Sequence, residues 1–145
     1  MNELLDALAP FVGRICGPIA LGHGADASQE ALIAIFKSLK TLRAPEAVWG
    51  WARTIAVREA VRVARDRRTV PAELADLPQR GDPQLETEIG DVLRRLSPEH
   101  RAVLVLRDLE GYSESEAAAL LAIEVGTVKS RLHRARRTFR EVWSE

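Results

Sequence analysis

The sequence predicts an all-α fold: two small helical domains joined by a flexible linker, the second of them a helix-turn-helix domain. Three observations carry this. Apolar residues recur at helical spacing almost everywhere, and no stretch alternates apolar with polar residues between turns as a strand would. Between Thr69 and Pro83 the chain has three prolines, one glycine and no sustained helical period, so it reads as a linker. The last fifty or so residues carry helix caps and turn signals at the spacing of two short helices followed by a long basic one. The boundaries that follow are a first domain at 1–68, a linker at 69–81 and a second domain at 82–145.

About six or seven helices are expected. Residues 3–20 form an apolar segment weakened by Gly13, Gly17 and Pro18, and Gly22-His23-Gly24 is expected to end it. A second helix runs from about Ala27 to Leu42 with Leu32, Ile35, Phe36 and Leu39 on its apolar face. A third begins near Pro45, a residue suited to a first helical turn, and runs to about Arg68. After the linker, Asp82-Pro83 opens a helix with Leu85, Ile89, Val92, Leu93 and Leu96 inward. Ser97-Pro98-Glu99 then gives a cap, a first-turn proline and a first-turn acid for a helix through about Leu109. Gly111 stops that helix, and Ser113 with Glu116 forms a capping box for a short helix through Leu121. A turn at Ala122-Ile123-Glu124 leads into the final helix, and two helices so joined, the second strongly basic, are the helix-turn-helix pattern.

The 145 residues are 46% apolar, 5% aromatic and 29% charged, which fits a globular helical chain and excludes a disordered, collagenous or disulfide-built one. No apolar run approaches the roughly 20 residues of a bilayer span, and the amino terminus carries acid where a secretory signal carries base. The expectation is a cytoplasmic protein with no membrane partner. A single cysteine, Cys16, excludes an internal disulfide and reads as a small core residue. His23, His100 and His133 are scattered without other ligands at metal spacing, and no nucleotide loop, nucleophile elbow or catalytic carboxylate pair stands out. No cofactor, metal or catalysis is expected.

The formal charge is zero, but it is unevenly laid out. Residues 37–68 hold nine bases and three acids, and residues 126–140 hold six bases and no acid. Between them, residues 69–100 hold seven acids against three bases. Two cationic surfaces separated by acid are what two polyanion contacts require. On the final helix, Val128, Leu132, Ala135 and Phe139 share the face that packs inward. The opposite face shows Thr127, Ser130, His133, Arg134 and Arg137, flanked by Lys129 and Arg131. A helix built only for solubility mixes Glu with Lys at four-residue spacing. This face instead offers small residues for close approach, cations for guanine edges or phosphates, and polar tips for bases.

The stretch from Leu96 to Ser113, with its Ser97-Pro98-Glu99-His100-Arg101, and the string Gly126-Thr127-Val128-Lys129-Ser130-Arg131-Leu132 closely resemble the carboxy-terminal promoter-reading domain of bacterial RNA polymerase sigma factors of the extracytoplasmic-function type. The resemblance implies that this domain reads the minus-thirty-five element in the major groove. By position it assigns Lys129, Ser130, His133 and Arg134 to groove contacts and Arg107 to backbone or base support. One departure is Ala122, where the family usually has glycine; a positive φ there costs an alanine on the order of 1 kcal/mol.

The first half resembles the same family. Trp51-Ala52-Arg53-Thr54-Ile55-Ala56 is similar to its Trp-Leu-Tyr-Arg-Ile-Ala motif, and Trp49 falls in the place of its base-capturing loop. Trp51, Arg58, Arg62 and Arg65 lie at offsets 0, 7, 11 and 14, one helical stripe of an aromatic followed by cations, which suits unpaired bases and their backbone. Helix packing is the other reading of both tryptophans. Glu30 to Phe36 superposes on the family's polymerase-gripping motif and keeps its chemistry at Glu30 and Phe36, while the usual glutamine position holds Ile33. The resemblance implies core RNA polymerase, promoter DNA and an anti-sigma factor as partners. Two other readings of the residues stay open: a helix-turn-helix regulator that recruits no polymerase, and a sigma-like decoy that binds only an anti-sigma protein.

Overall fold

The computed structural model describes residues 2–42, 44–67 and 83–143, with side chains from Glu3 and, after the linker, from Glu88 onward. The linker expected at 69–81 lies outside the described residues, as do Asp82 and the side chain of Leu85. Among the described residues there are helices and no strand. The chain divides into two compact units, Met1–Leu77 and Pro78–Glu145.

The first unit is built from α1 (Asn2–Ala20), α2 (Gly24–Ser38) and α3 (Val48–Asp66), each packed on the other two. Short 3₁₀ turns at Leu21–His23, Leu39–Thr41 and Pro45–Ala47 connect them. Leu8, Val12 and Ile19 of α1, Ile35 of α2, and Val57 and Val63 of α3 are fully enclosed. Cys16 joins them, its Sγ donating to the Ala56 carbonyl at 3.6 Å, and burial pushes the thiol up to about 12. Such a thiol stays protonated and unreactive.

Two expectations for this region change. Gly13, Gly17 and Pro18 do not break α1, which is continuous and also contains Pro10. The glycines mark a helix crossing instead: a Cβ on Gly24 would stand 3.1 Å from Gly17 Cα, so the end of α1 and the start of α2 approach through these two residues. The chain turns at Leu21, with φ at 55°, and Gly24 begins the second helix. A left-handed leucine costs roughly 1–2 kcal/mol, which burial of the same side chain offsets. The other change concerns length: the helical stretch Glu3–Thr41 holds a window of mean hydropathy 1.5, so length and composition alone would let it cross a bilayer. Here its apolar side forms the core of the first unit, through Leu8, Val12, Ile15, Ile19, Ala27, Ala31 and Ile35.

The second unit comprises α4 (Pro83–Arg95), α5 (Pro98–Leu104), α6 (Glu114–Leu121) and α7 (Val125–Trp143), with a π-helical turn at Val105–Leu109 after α5. Both caps read from the sequence are present. The His100 amide donates to Ser97 Oγ at 3.3 Å, and Ser113 and Glu116 exchange hydrogen bonds of 3.1 and 3.0 Å. Val92 and Leu93 of α4, Leu96 just after it, Ala102 to Leu106, Ala117 and Leu120 of α6, and Val128, Leu132 and Ala135 of α7 make the core.

Arg101 is the one charged residue buried there among the described residues, 6% exposed, and its Nη1 donates to the carbonyls of Leu93 and Leu96 at 3.2 and 3.0 Å. It closes the carboxyl end of α4, whose last carbonyls have no partner within the helix.

The turn before α7 settles the cost attached to Ala122. Its φ and ψ are 56° and 45°, and the Ile123 amide donates to Ala118 at 3.0 Å, the hydrogen bond of a left-handed helix terminus. Ala122→Gly removes a Cβ from a strained position and is expected to stabilise the chain by about 0.5–1 kcal/mol, read as a higher urea midpoint with an unchanged slope.

Candidate nucleic-acid interfaces

In the second unit, helix α7 keeps Val128, Leu132 and Ala135 in the core and turns Lys129, Ser130, His133, Arg134 and Arg137 to solvent, with Thr127 and Arg131 half-buried. Phe139, expected inward, is only half-buried and stacks on Trp143 at 5.6 Å. Ser130 Oγ donates to Thr127 O at 3.2 Å, which tucks the hydroxyl against its own helix and leaves the surface around it shallow.

The cations of α7 fall into two groups. Arg136 grips Asp108 of the π turn through two hydrogen bonds of 3.0 and 2.6 Å, which raises the guanidinium's pKa and pins α7 to the preceding turn. Arg137 pairs with Glu141 at 3.3 Å along the helix. Lys129, Arg131 and Arg134 make no ion pair among the described residues. Those three are therefore the uncompensated positive charge of the face.

Arg107 stands apart from them. It lies in the π turn, half-buried, and its Nη1 donates to the Tyr112 carbonyl at 2.6 Å, so it holds the loop that leads into α6. His100 was considered in the sequence only as a metal ligand. The structure sets its imidazole near Arg131 and Arg134, and partial burial together with those two guanidiniums lowers its pKa, against an opposing pull from Glu99. No spacing rule would have found this, because α5 and α7 are brought together by packing.

In the first unit, Trp49 is 43% exposed and meets Phe11 of α1 edge to face, ring centroids 5.2 Å apart at 86°. Trp51 is half-buried, while Arg58, Arg62 and Arg65 are exposed along α3. Arg62 sits among three carboxylates. It contacts Glu59 at 2.7 Å, Glu30 of α2 at 2.8 Å and Asp66 at 3.3 Å, and the hydrogen bond to Glu59 raises its pKa first among the causes. This joins a residue expected at polymerase, Glu30, to one expected at DNA. On the remaining part of α2, Ile33 and Phe36 are 47% and 52% exposed, large apolar side chains three residues apart and open to a partner.

Residues 4–70 match the Sigma-70 region 2 family and residues 86–139 the Sigma-70 region 4 family. The chain is 35% identical over 129 residues to the ECF RNA polymerase sigma factor SigE of Mycolicibacterium smegmatis, covering 80% of this chain and 50% of that protein. It is 32% identical over 135 residues to the ECF RNA polymerase sigma-E factor of Escherichia coli, covering 79% and 71%. Among solved structures, the sigma factor RpoE of Bartonella quintana, in complex with the anti-sigma factor NepR, superposes with a TM-score of 0.71 at 23% identity, over 99% of this chain and 96% of that one. The chain spans about half the length of SigE, one of the curated relatives it matches. Two sigma domains in order, and this identity across most of a curated sigma-E factor, place the chain in the sigma-70 family of RNA polymerase sigma factors, in its extracytoplasmic-function branch.

Proposed function

We propose that the chain directs RNA polymerase to specific promoters and initiates transcription there, contributing recognition and strand capture while the polymerase performs the chemistry. The observation that carries this is α7: a basic helix placed second in a helix-turn-helix, its unpaired cations all on the outward face. In this reading the region 82–145 lays α7 in the major groove of the minus-thirty-five element. Thr127, Lys129, Ser130, His133 and Arg134 face the bases, Arg131 and Arg137 follow the backbone, and Arg107 supports the groove contacts by holding the turn.

The region 1–68 acts on the polymerase and on the melted minus-ten strand. Exposed Ile33 and Phe36 with neighbouring Glu30 form the polymerase contact. Trp49 and Trp51 offer rings for unpaired bases, with Arg58 and Arg65 along the backbone and Arg62 linking this face to Glu30. The acidic stretch from Thr69 to Ile89, which includes the linker, threads the polymerase's nucleic-acid channel. An anti-sigma factor is a partner by analogy with the Bartonella protein, and work on promoter DNA puts the protein in the cytoplasm.

Run-off transcription with purified core polymerase and this chain tests the reading. A transcript that starts at a defined position and needs the chain is the expected result. Duplex binding without such a transcript overturns it in favour of a regulator that recruits no polymerase, and absence of DNA binding in favour of a decoy.

A further inference from the structure

We propose that His100 belongs to the DNA-contacting surface, where it forms with Arg131 a phosphate-binding cluster bridging α5 and α7, beside the base-facing Arg134, so that its protonation tightens the hold on DNA. The inference rests on the promoter-binding reading above and adds a residue and a regulatory input to it. Three observations carry it. Helix α5 packs on α7, and this brings one imidazole and two guanidiniums of α7 within electrostatic reach of one another. Arg94, Arg136 and Arg137 of this unit have carboxylate partners in Asp91, Asp108 and Glu141. Arg131 and Arg134 have none among the described residues, and the one acid acting on the imidazole is Glu99 of its own helix.

Like charges gathered with a single acid nearby repel one another, and a phosphate oxygen set among them lowers that repulsion and accepts their hydrogen bonds. The signs in the free and bound states are opposite. In the free protein, burial and the two guanidiniums favour the neutral imidazole, so acidification works against the cluster. With a phosphate bound, the negative charge favours the imidazolium. Binding must then take up a proton near neutral pH, and affinity must rise as pH falls.

The test uses the full-length chain and a fluorescein-labelled, mixed-sequence duplex, because a phosphate contact carries no sequence information. His133 also faces solvent on α7, so both proteins carry His133→Gln, one with His100 and one with His100→Gln. With His100 present, affinity is expected to rise by up to about tenfold from about pH 8 to about pH 5.5, the limit for a one-unit change in the imidazole between free and bound states. Its dependence on salt is expected to steepen at the acid end by up to about one ion, a readout that a purely structural histidine leaves unmoved. In the His100→Gln protein both changes are expected to vanish, with circular dichroism confirming that it remains folded. Parallel pH and salt curves for the two proteins overturn the cluster and leave the promoter reading intact. No duplex binding by the unsubstituted chain at any pH, measured alongside, overturns the promoter reading, and the cluster with it.

Discussion

Replacing Arg101 by methionine is expected to destabilise the second unit by about 2–4 kcal/mol, seen as an early transition in urea or thermal unfolding followed by circular dichroism. Methionine fills much of the same volume, so packing is little disturbed. What is lost is the donor. The carbonyls of Leu93 and Leu96, at and just beyond the end of α4, lie 3.2 and 3.0 Å from the guanidinium; the Leu96 amide also reaches Leu93 at 3.2 Å, so the Leu96 carbonyl is the acceptor that depends most on Arg101. Burial already strains the charge, lowering the guanidinium's pKa to about 10 with Glu99 opposing the shift. That penalty is accepted because one planar side chain satisfies two acceptors and ties α5 to the turn before it. A small domain has only about 5 kcal/mol to lose, so the variant would be unfolded for much of its time at body temperature. Arg101→Lys is expected to recover only part of the loss, since a single ammonium reaches two divergent carbonyls poorly. An unchanged midpoint for Arg101→Met would mean that water reaches these carbonyls and that α4 needs no such clasp.

How much was legible in the sequence depended on how local the cause was. Ser97 and the Ser113–Glu116 box act within one turn, so residue type and spacing were enough to place them. The inward face of α7 followed from helical period through Ala135 and failed only at Phe139, near the end where packing gives out. Gly17 misled because a glycine that permits two backbones to meet looks in sequence like one that weakens a helix. Leu21 in the left-handed region was unreadable, since two glycines lie within three residues and local preference favours either. Arg101 was overlooked for a related reason: arginine is rarely buried, and its acceptors come from another helix. At the candidate site, the cationic residues of α7 were visible as a pattern, but their partners were not. Glu141 at four-residue spacing from Arg137 was readable, whereas Asp108 clasping Arg136 required the fold.

That division of the α7 cations has a measurable consequence. Arg134→Ala and Lys129→Ala are each expected to weaken promoter binding by about 1–3 kcal/mol, a loss of roughly five- to more than hundredfold, and to relax preference at one base position. Both side chains are exposed on the outward face and neither is engaged by a carboxylate among the described residues. No described carboxylate therefore competes with a guanine edge for them. Arg137→Ala is expected to cost less, under about 1 kcal/mol, because its guanidinium leaves Glu141 when it turns to DNA and the gain is partly cancelled. Arg136→Ala belongs to neither class. It frees Asp108 and loosens α7, so it should lower thermal stability and weaken all duplexes alike. Selection of bound sequences from a randomised duplex library, run on the four variants in parallel, separates these outcomes. A base-specific change for Arg134 and Lys129 with uniform loss for Arg136 is the expected pattern. If Arg134→Ala weakens every duplex equally, its contact is to phosphate, and sequence is read by Lys129 with the small residues at the start of the helix.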